Sequence, residues 1–262
     1  MRRSSFAVFI ALGLALGGCK TFDDNPITGS ISTPAAPPAA TSPEGWRAIA
    51  AQWQPAYDKN PSDPRAAMIY ARALRETDQN AQALAVVQRA AIANPKNQAL
   101  LGEYGRALAA NGQFDQALDV LSRAHMPDKP DWRILMAQGA VLDQMGRSSE
   151  ARDHYDTALK IAPGEPSVLS NLGLSYALSN DLANAEKVLR QANADPRADM
   201  RARQNLALVL ALQGKFGEAQ TVASRDLSPA EAAQNIASIR EMVSQTNNWQ
   251  KLKTARKLPP QG

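Results

Sequence analysis

The sequence predicts an all-α fold, a solenoid of helix–turn–helix repeats, on three observations. First, Ala83, Ala117, Ala151, Ala185 and Ala219 stand at an unbroken interval of 34 residues. Second, five positions before each comes Asp78, Gly112, Gly146, Asn180 or Gly214, the residue types that a tight helix-to-helix turn requires. Third, prolines gather where one unit should end and the next begin, at Pro61 and Pro64, Pro95, Pro127 and Pro130, Pro163 and Pro166, and Pro196. Proline cannot continue a helix but is well suited to start one.

The chain is 262 residues long, 44% hydrophobic, with a formal net charge of +4. That charge is too small to argue for nucleic acid. Residues 1–18 read as an export signal: Arg2 and Arg3, an apolar run from Phe6 to Leu16, then glycines. The run is short for a membrane span. It ends Leu16-Gly17-Gly18-Cys19, which resembles the bacterial lipobox, and Cys19 is the only cysteine. The resemblance implies cleavage before Cys19 and acylation of that residue. By similarity to enterobacterial sorting, Lys20 in place of aspartate implies the outer membrane.

Residues 19–43 carry Pro26, Pro34, Pro37, Pro38 and Pro43 among Ser, Thr, Ala and Gly, without hydrophobic period. They read as an extended, disordered tether. Residues 44–244 read as the solenoid. A degenerate half repeat comes first, over about 45–59, where Pro55 should kink the helix or delay its start. Five full units follow at about 64–97, 98–131, 132–165, 166–199 and 200–226. Ala71, Gly105, Gly139, Gly173 and Ala207 are the small residues of each first helix, where a partner helix must come close. Leucines such as Leu74, Leu101, Leu108, Leu135 and Leu210 fill the space between. The last unit is worn, with Ala223 and Asp226 in place of bulk and alanine. Ser228-Pro229-Ala230-Glu231 is a capping box that starts a final helix, expected to run to about Ser244 and to seal the array. Residues 245–262 hold Lys251, Lys253, Arg256 and Lys257 and no acidic residue. This basic tail suits anionic headgroups, murein or an acidic protein surface, and equally a solvated end.

A 34-residue, two-helix unit resembles the tetratricopeptide (TPR) repeat. The implied fold is a TPR solenoid of about five repeats, a degenerate N-terminal half repeat and a C-terminal capping helix. No metalloprotease, nucleophile-elbow or phosphate-loop motif is present, and His125 and His154 stand without a second ligand at metal spacing. The expectation is a non-enzymatic scaffold without cofactor or metal.

In TPR arrays the first helix of each unit lines the concave surface. That resemblance places Arg65, Met68, Arg72 and Arg75, then Arg106, Arg133, Arg201 and Gln204 in a groove, opposed by Glu76 and Asp143. Asn171 and Asn205 match the asparagine that holds a peptide backbone in related arrays. An acidic or extended peptide is one ligand such a groove suits. Arginine on a solvated helix face is the other reading. Lipobox, proline-rich tether and repeats together resemble the TPR lipoproteins of envelope machines, among them the TadD family of the tight-adherence (Tad/Flp) pilus apparatus. That resemblance implies an outer-membrane lipoprotein facing the periplasm, with a pilus or secretin component as partner and no nucleic acid. The alternative is an adaptor that recruits or regulates cell-wall hydrolases.

Overall fold

The structure, a computed structural model, describes residues 42–126 and 128–255, with side chains to Gln245. The export signal, Cys19 and nearly all of the tether lie outside the described residues. Twelve helices are present among the described residues, and no strand beyond one isolated bridge between Met126 and Lys129. None of these helices is long and apolar enough to cross a membrane.

Helix α1 (Pro43–Lys59) is followed by five hairpins. These are α2 (Pro64–Arg75) with α3 (Asn80–Ala93), α4 (Gln98–Ala110) with α5 (Phe114–Ser122), and α6 (Trp132–Gln144) with α7 (Ser148–Ile161). Then come α8 (Pro166–Leu178) with α9 (Leu182–Ala194), α10 (Met200–Leu212) with α11 (Phe216–Ala223), and α12 (Pro229–Ala255). The five units fall where the period puts them.

Local chemistry repeats with the period. Asp78, Gly112, Gly146, Asn180 and Gly214 all have φ between 60° and 80°, the left-handed region that closes each hairpin. Each first helix is capped by the residue 34 after the previous cap: Asp63, Asn97, Asp131, Glu165 and Asp199 all accept from a backbone N–H of the first turn. Such caps satisfy donors that the helix itself leaves unpaired.

Packing follows from the small residues. The five periodic alanines are fully buried. Gly105, Gly139 and Gly173 lie so close to Leu121, Tyr155 and Leu189 that an added Cβ would stand 2.5–2.6 Å from them. In the outer units the facing residues are smaller, Val87 and Ala223, and alanine takes the glycine's place at Ala71 and Ala207. Each helix packs on its sequence neighbours, and first helices also pack in series, α2 on α4, α4 on α6, α6 on α8 and α8 on α10. They therefore stand side by side and form one face.

The ends differ from expectation. Helix α1 begins at Pro43, with Ser42 Oγ accepting from Gly45 N at 3.0 Å, so the last residues read as tether are its start. Pro55 lies inside it and does not delay its start. Ala51, whose carbonyl loses its amide partner to that proline, is exposed, so the missing bond costs little. At the other end, Ser228 N donates to Glu231 Oε2 at 2.9 Å and Glu231 N to Ser228 Oγ at 3.3 Å, the reciprocal bonds of a capping box. Helix α12 packs on α10 and α11, burying Ala232 and Ile236, and continues past Ser244 to Ala255. The start of the stretch read as an irregular tail is thus helical, because nothing between Ser244 and Ala255 breaks a helix.

Candidate functional site: a guanidinium-lined cavity

The face made by the first helices encloses a cavity of about 560 Å³. Five arginines line it, Arg72 and Arg75 from α2, Arg106 from α4, Arg133 from α6 and Arg201 from α10. Two carboxylates, Glu76 and Glu103, share the lining with the neutral Trp132, Met136, Gln144 and Asn171. Residues from the first full unit and the last, Arg72 and Arg201, thus share one space.

Glu103 organises the floor. It is 8% exposed, and its Oε1 accepts from Arg75 Nε at 3.2 Å and Nη2 at 3.1 Å. Arg106 Nη1 lies 3.8 Å from its other oxygen, and Arg106 Nη2 donates to the Arg133 carbonyl at 3.2 Å. A carboxylate this deep is tolerated because two guanidinia share it. Burial lowers the pKa of Arg106 from its ordinary value; Glu103 and Asp131 oppose the shift, while the neighbouring charges of Arg75 and Arg72 add to it. The guanidinium stays charged, so like charges are crowded at this floor and an added anion would relieve them.

Two of the five cavity arginines have no carboxylate partner among the described residues. Arg72 stacks on the Trp46 ring at 5.2 Å, and Arg133 on the Trp132 ring at 4.3 Å. These contacts spend no guanidinium N–H in a hydrogen bond among the described residues, so the donors stay open to a carboxylate.

Of the remaining expected groove residues, Asn171 lines the cavity and the others are placed elsewhere. Arg65 is exposed and stacks on Trp53 at 5.7 Å, away from the cavity lining. Met68 packs against the buried core that holds Tyr70, Leu74, Val87 and Leu100, filling space rather than facing a ligand. Gln204 is exposed and does not line the cavity. Asn171 lines it and makes no hydrogen bond among the described residues. Asn205 instead donates to Ser170 Oγ at 3.0 Å, tying α10 to α8. Asp143, expected to oppose the groove arginines, accepts from the Tyr155 hydroxyl at 2.9 Å and from Ser175 Oγ at 2.8 Å. It is a joint between units, and the arginines' counter-charges are Glu76, as expected, and Glu103.

Sequence reasoning passed over Glu103, although its repeat position carried the signal. Counting in steps of 34, Glu103, Ala137, Asn171 and Asn205 are equivalent, and the first three line the cavity. His125 and His154, far apart in the chain, come within electrostatic range of each other. Among the described residues, no group of three or more His, Cys, Asp or Glu is placed to hold a metal ion.

Comparison with known proteins agrees with this architecture. Three family models described as tetratricopeptide repeat match residues 77–139, residues 46–98 and 136–199, and residues 200–225. No curated protein matches. Among solved structures, the chain is similar to the Cut9–Hcn1 hetero-tetramer of the APC/C at TM-score 0.60 and 13% identity. That match covers 80% of this chain and 41% of the other, so the chain spans well under half of that relative. It is similar to TTC0263, a thermophilic TPR protein of Thermus thermophilus, at TM-score 0.57 and 22% identity, over 63% of this chain and 90% of that one. It is similar too to PilW, a type IV pilus biogenesis factor, at TM-score 0.60 and 15% identity, over 73% and 90%. At these identities the likeness is one of fold. The repeat models run without a gap from residue 46 to 225 over five capped hairpins, and the chain is therefore a tetratricopeptide-repeat protein.

Proposed function

We propose that this TPR scaffold binds an acidic segment of a partner protein in its concave cavity, at the bacterial outer membrane, in the assembly of a Tad/Flp-type pilus or its secretin. TPR repeats make protein–protein contacts, and that much rests on the fold. The observation that carries the ligand chemistry is the convergence of five guanidinia on a cavity with two carboxylates. Arg72 and Arg133 are held by stacking with their donors unspent, so a ligand carboxylate gains charge-assisted bonds without breaking internal ones.

Support for the envelope setting comes from Leu16-Gly17-Gly18-Cys19 and the proline-rich segment after it. Support for the pilus setting is the resemblance of the whole arrangement to TPR lipoproteins of that apparatus. Acylated Cys19 would hold the scaffold to the membrane, and residues 20–41 would give the array reach.

Two measurements test the proposal. Cys19→Ala should abolish uptake of a fatty-acid probe and release the protein from membranes. Affinity capture from the envelope of the native strain should recover a secretin or pilus component, and capture should fall when Arg72 and Arg133 are reversed to Glu. Recovery of a cell-wall hydrolase instead would overturn the pilus assignment in favour of a hydrolase adaptor.

A further inference from the structure

Arg201 Nη2 lies 2.6 Å from Glu76 Oε2, although the two residues are 125 apart in the chain. Arg201 is in the first turn of α10, and Glu76 is the C-cap of α2. These helices do not pack on each other; first helices touch only the next in series. The bridge therefore joins the first full unit to the last by side chains alone, and both residues line the cavity. Its two halves differ. Glu76 is 12% exposed and has a second partner, Arg75 Nη1, at 3.7 Å, whereas Arg201 is 72% exposed.

We propose that the Arg201–Glu76 bridge is a clasp across the concave cavity, and that an acidic peptide segment binds by taking Arg201 from Glu76. The inference rests on the acidic-segment reading above and adds an internal competitor to it. A ligand finds Arg72 and Arg133 without carboxylate partners, but the third accessible guanidinium is already engaged. The exchange is cheap on both sides. Glu76 keeps Arg75 when Arg201 leaves, so no buried carboxylate is stranded. Arg201 exchanges one carboxylate for another, and a bridge this exposed is weakly held. The clasp therefore sets a threshold. A single carboxylate can be served by Arg72 or Arg133 alone, whereas a segment with several gains Arg201 only by opening the array's own closure. Selection for multiply charged segments follows.

The test uses the full chain in detergent and a fluorescent oligoglutamate as probe, with oligolysine as control, at low ionic strength. Glu76→Gln removes the competitor and should tighten oligoglutamate binding about two- to fivefold, the factor for one exposed ion pair. In an Arg201→Gln background the same substitution should change affinity much less, since the clasp guanidinium is no longer there to be freed. That comparison separates the clasp from the general field, because Glu76→Gln also releases Arg75 in both backgrounds. Circular dichroism of each variant checks that the array is folded. Equal tightening in both backgrounds, or none in either, would overturn the clasp while leaving the acidic-segment reading in place. If no variant binds oligoglutamate, that reading fails, and the clasp as a ligand gate fails with it.

Discussion

Gly139 lies against the ring of Tyr155: a Cβ at that glycine would stand 2.6 Å from Cε1. Tyr155 cannot yield, since it is 1% exposed and its hydroxyl donates to Asp143 at 2.9 Å. Burial, with Asp143 beside it, pushes the phenol's pKa up, so the bond is made by the neutral hydroxyl across the working pH range. One contact thus fixes how α7 leans on α6, and Asp143 passes the constraint to α8 through Ser175 Oγ at 2.8 Å.

Gly139→Val should therefore destabilise the array by about 1–3 kcal/mol, as overpacking does in a core that cannot shift. Because each unit leans only on its neighbours, loss of structure should begin at the centre. Thermal melting followed by hydrogen exchange would show units three and four losing protection first. An unchanged midpoint would mean that the α6–α7 contact is looser than its geometry states.

Reversing the stacked arginines separates the cavity from the rest of the groove face. Arg133→Glu should weaken oligoglutamate binding about 10- to 100-fold, the range for a lost charge-assisted hydrogen bond plus repulsion. Arg65→Glu, one helix end away and outside the cavity lining, should change it little. Titration of both variants at two salt concentrations checks the pair. Equal losses would place binding on a diffuse positive face, with the cavity having no special role.

Arg106 is a poor site for such a reversal. Its side chain is 27% exposed and lies 3.8 Å from Glu103, so glutamate there would set two carboxylates together at the floor. The complementary variant, Glu103→Ala, leaves Arg75 and Arg106 adjacent without the carboxylate they share. We expect a loss of about 2 kcal/mol, below the 3–5 of fully buried pairs because Arg75 retains 21% exposure. A chemical denaturation curve would measure it, and a loss below about 0.5 kcal/mol would show the pair to be no more than a surface contact.

His154 gives the array a mild acid sensitivity. Burial holds its imidazole below the usual 6.5, aided by His125 and opposed by Asp153 and Glu150. The unfolded chain takes up this proton at the higher pH. The histidine's contribution is thus complete above about 6.5 and is lost as pH falls through the lower folded value. Melting midpoints should decline between pH 7.5 and 5.5, and His154→Gln should flatten that decline. The carboxylate of Glu150, held down chiefly by its hydrogen bond from Arg147, titrates below its ordinary 4.5 and does not overlap the window.

The repeat was legible because its determinants are local. A left-handed turn residue, a cap and a buried small residue act within a few positions of themselves. Residues such as Asn180, Asp199 and Ala185 therefore declare their structure to anyone counting in steps of 34. The same counting placed Arg72, Arg106 and Arg133 on the inner helices. It stopped short at Glu103, which looks like any solvated helix carboxylate until α2 is laid beside α4.

What the sequence by itself determined is thus the architecture: five capped hairpins between a leading half repeat and a sealing helix, with basic residues on the first helices. What only the tertiary structure decided is which of those residues meet. Arg65, Arg133 and Arg201 occupy one repeat position, yet one leans on Trp53, one stacks on Trp132 and one reaches Glu76. Hydrogen bonds along the chain fix each helix within a few residues. The small rotation between packed units adds up over the whole array, so equivalent side chains arrive at different neighbours, and Arg201 arrives at one from 125 residues earlier.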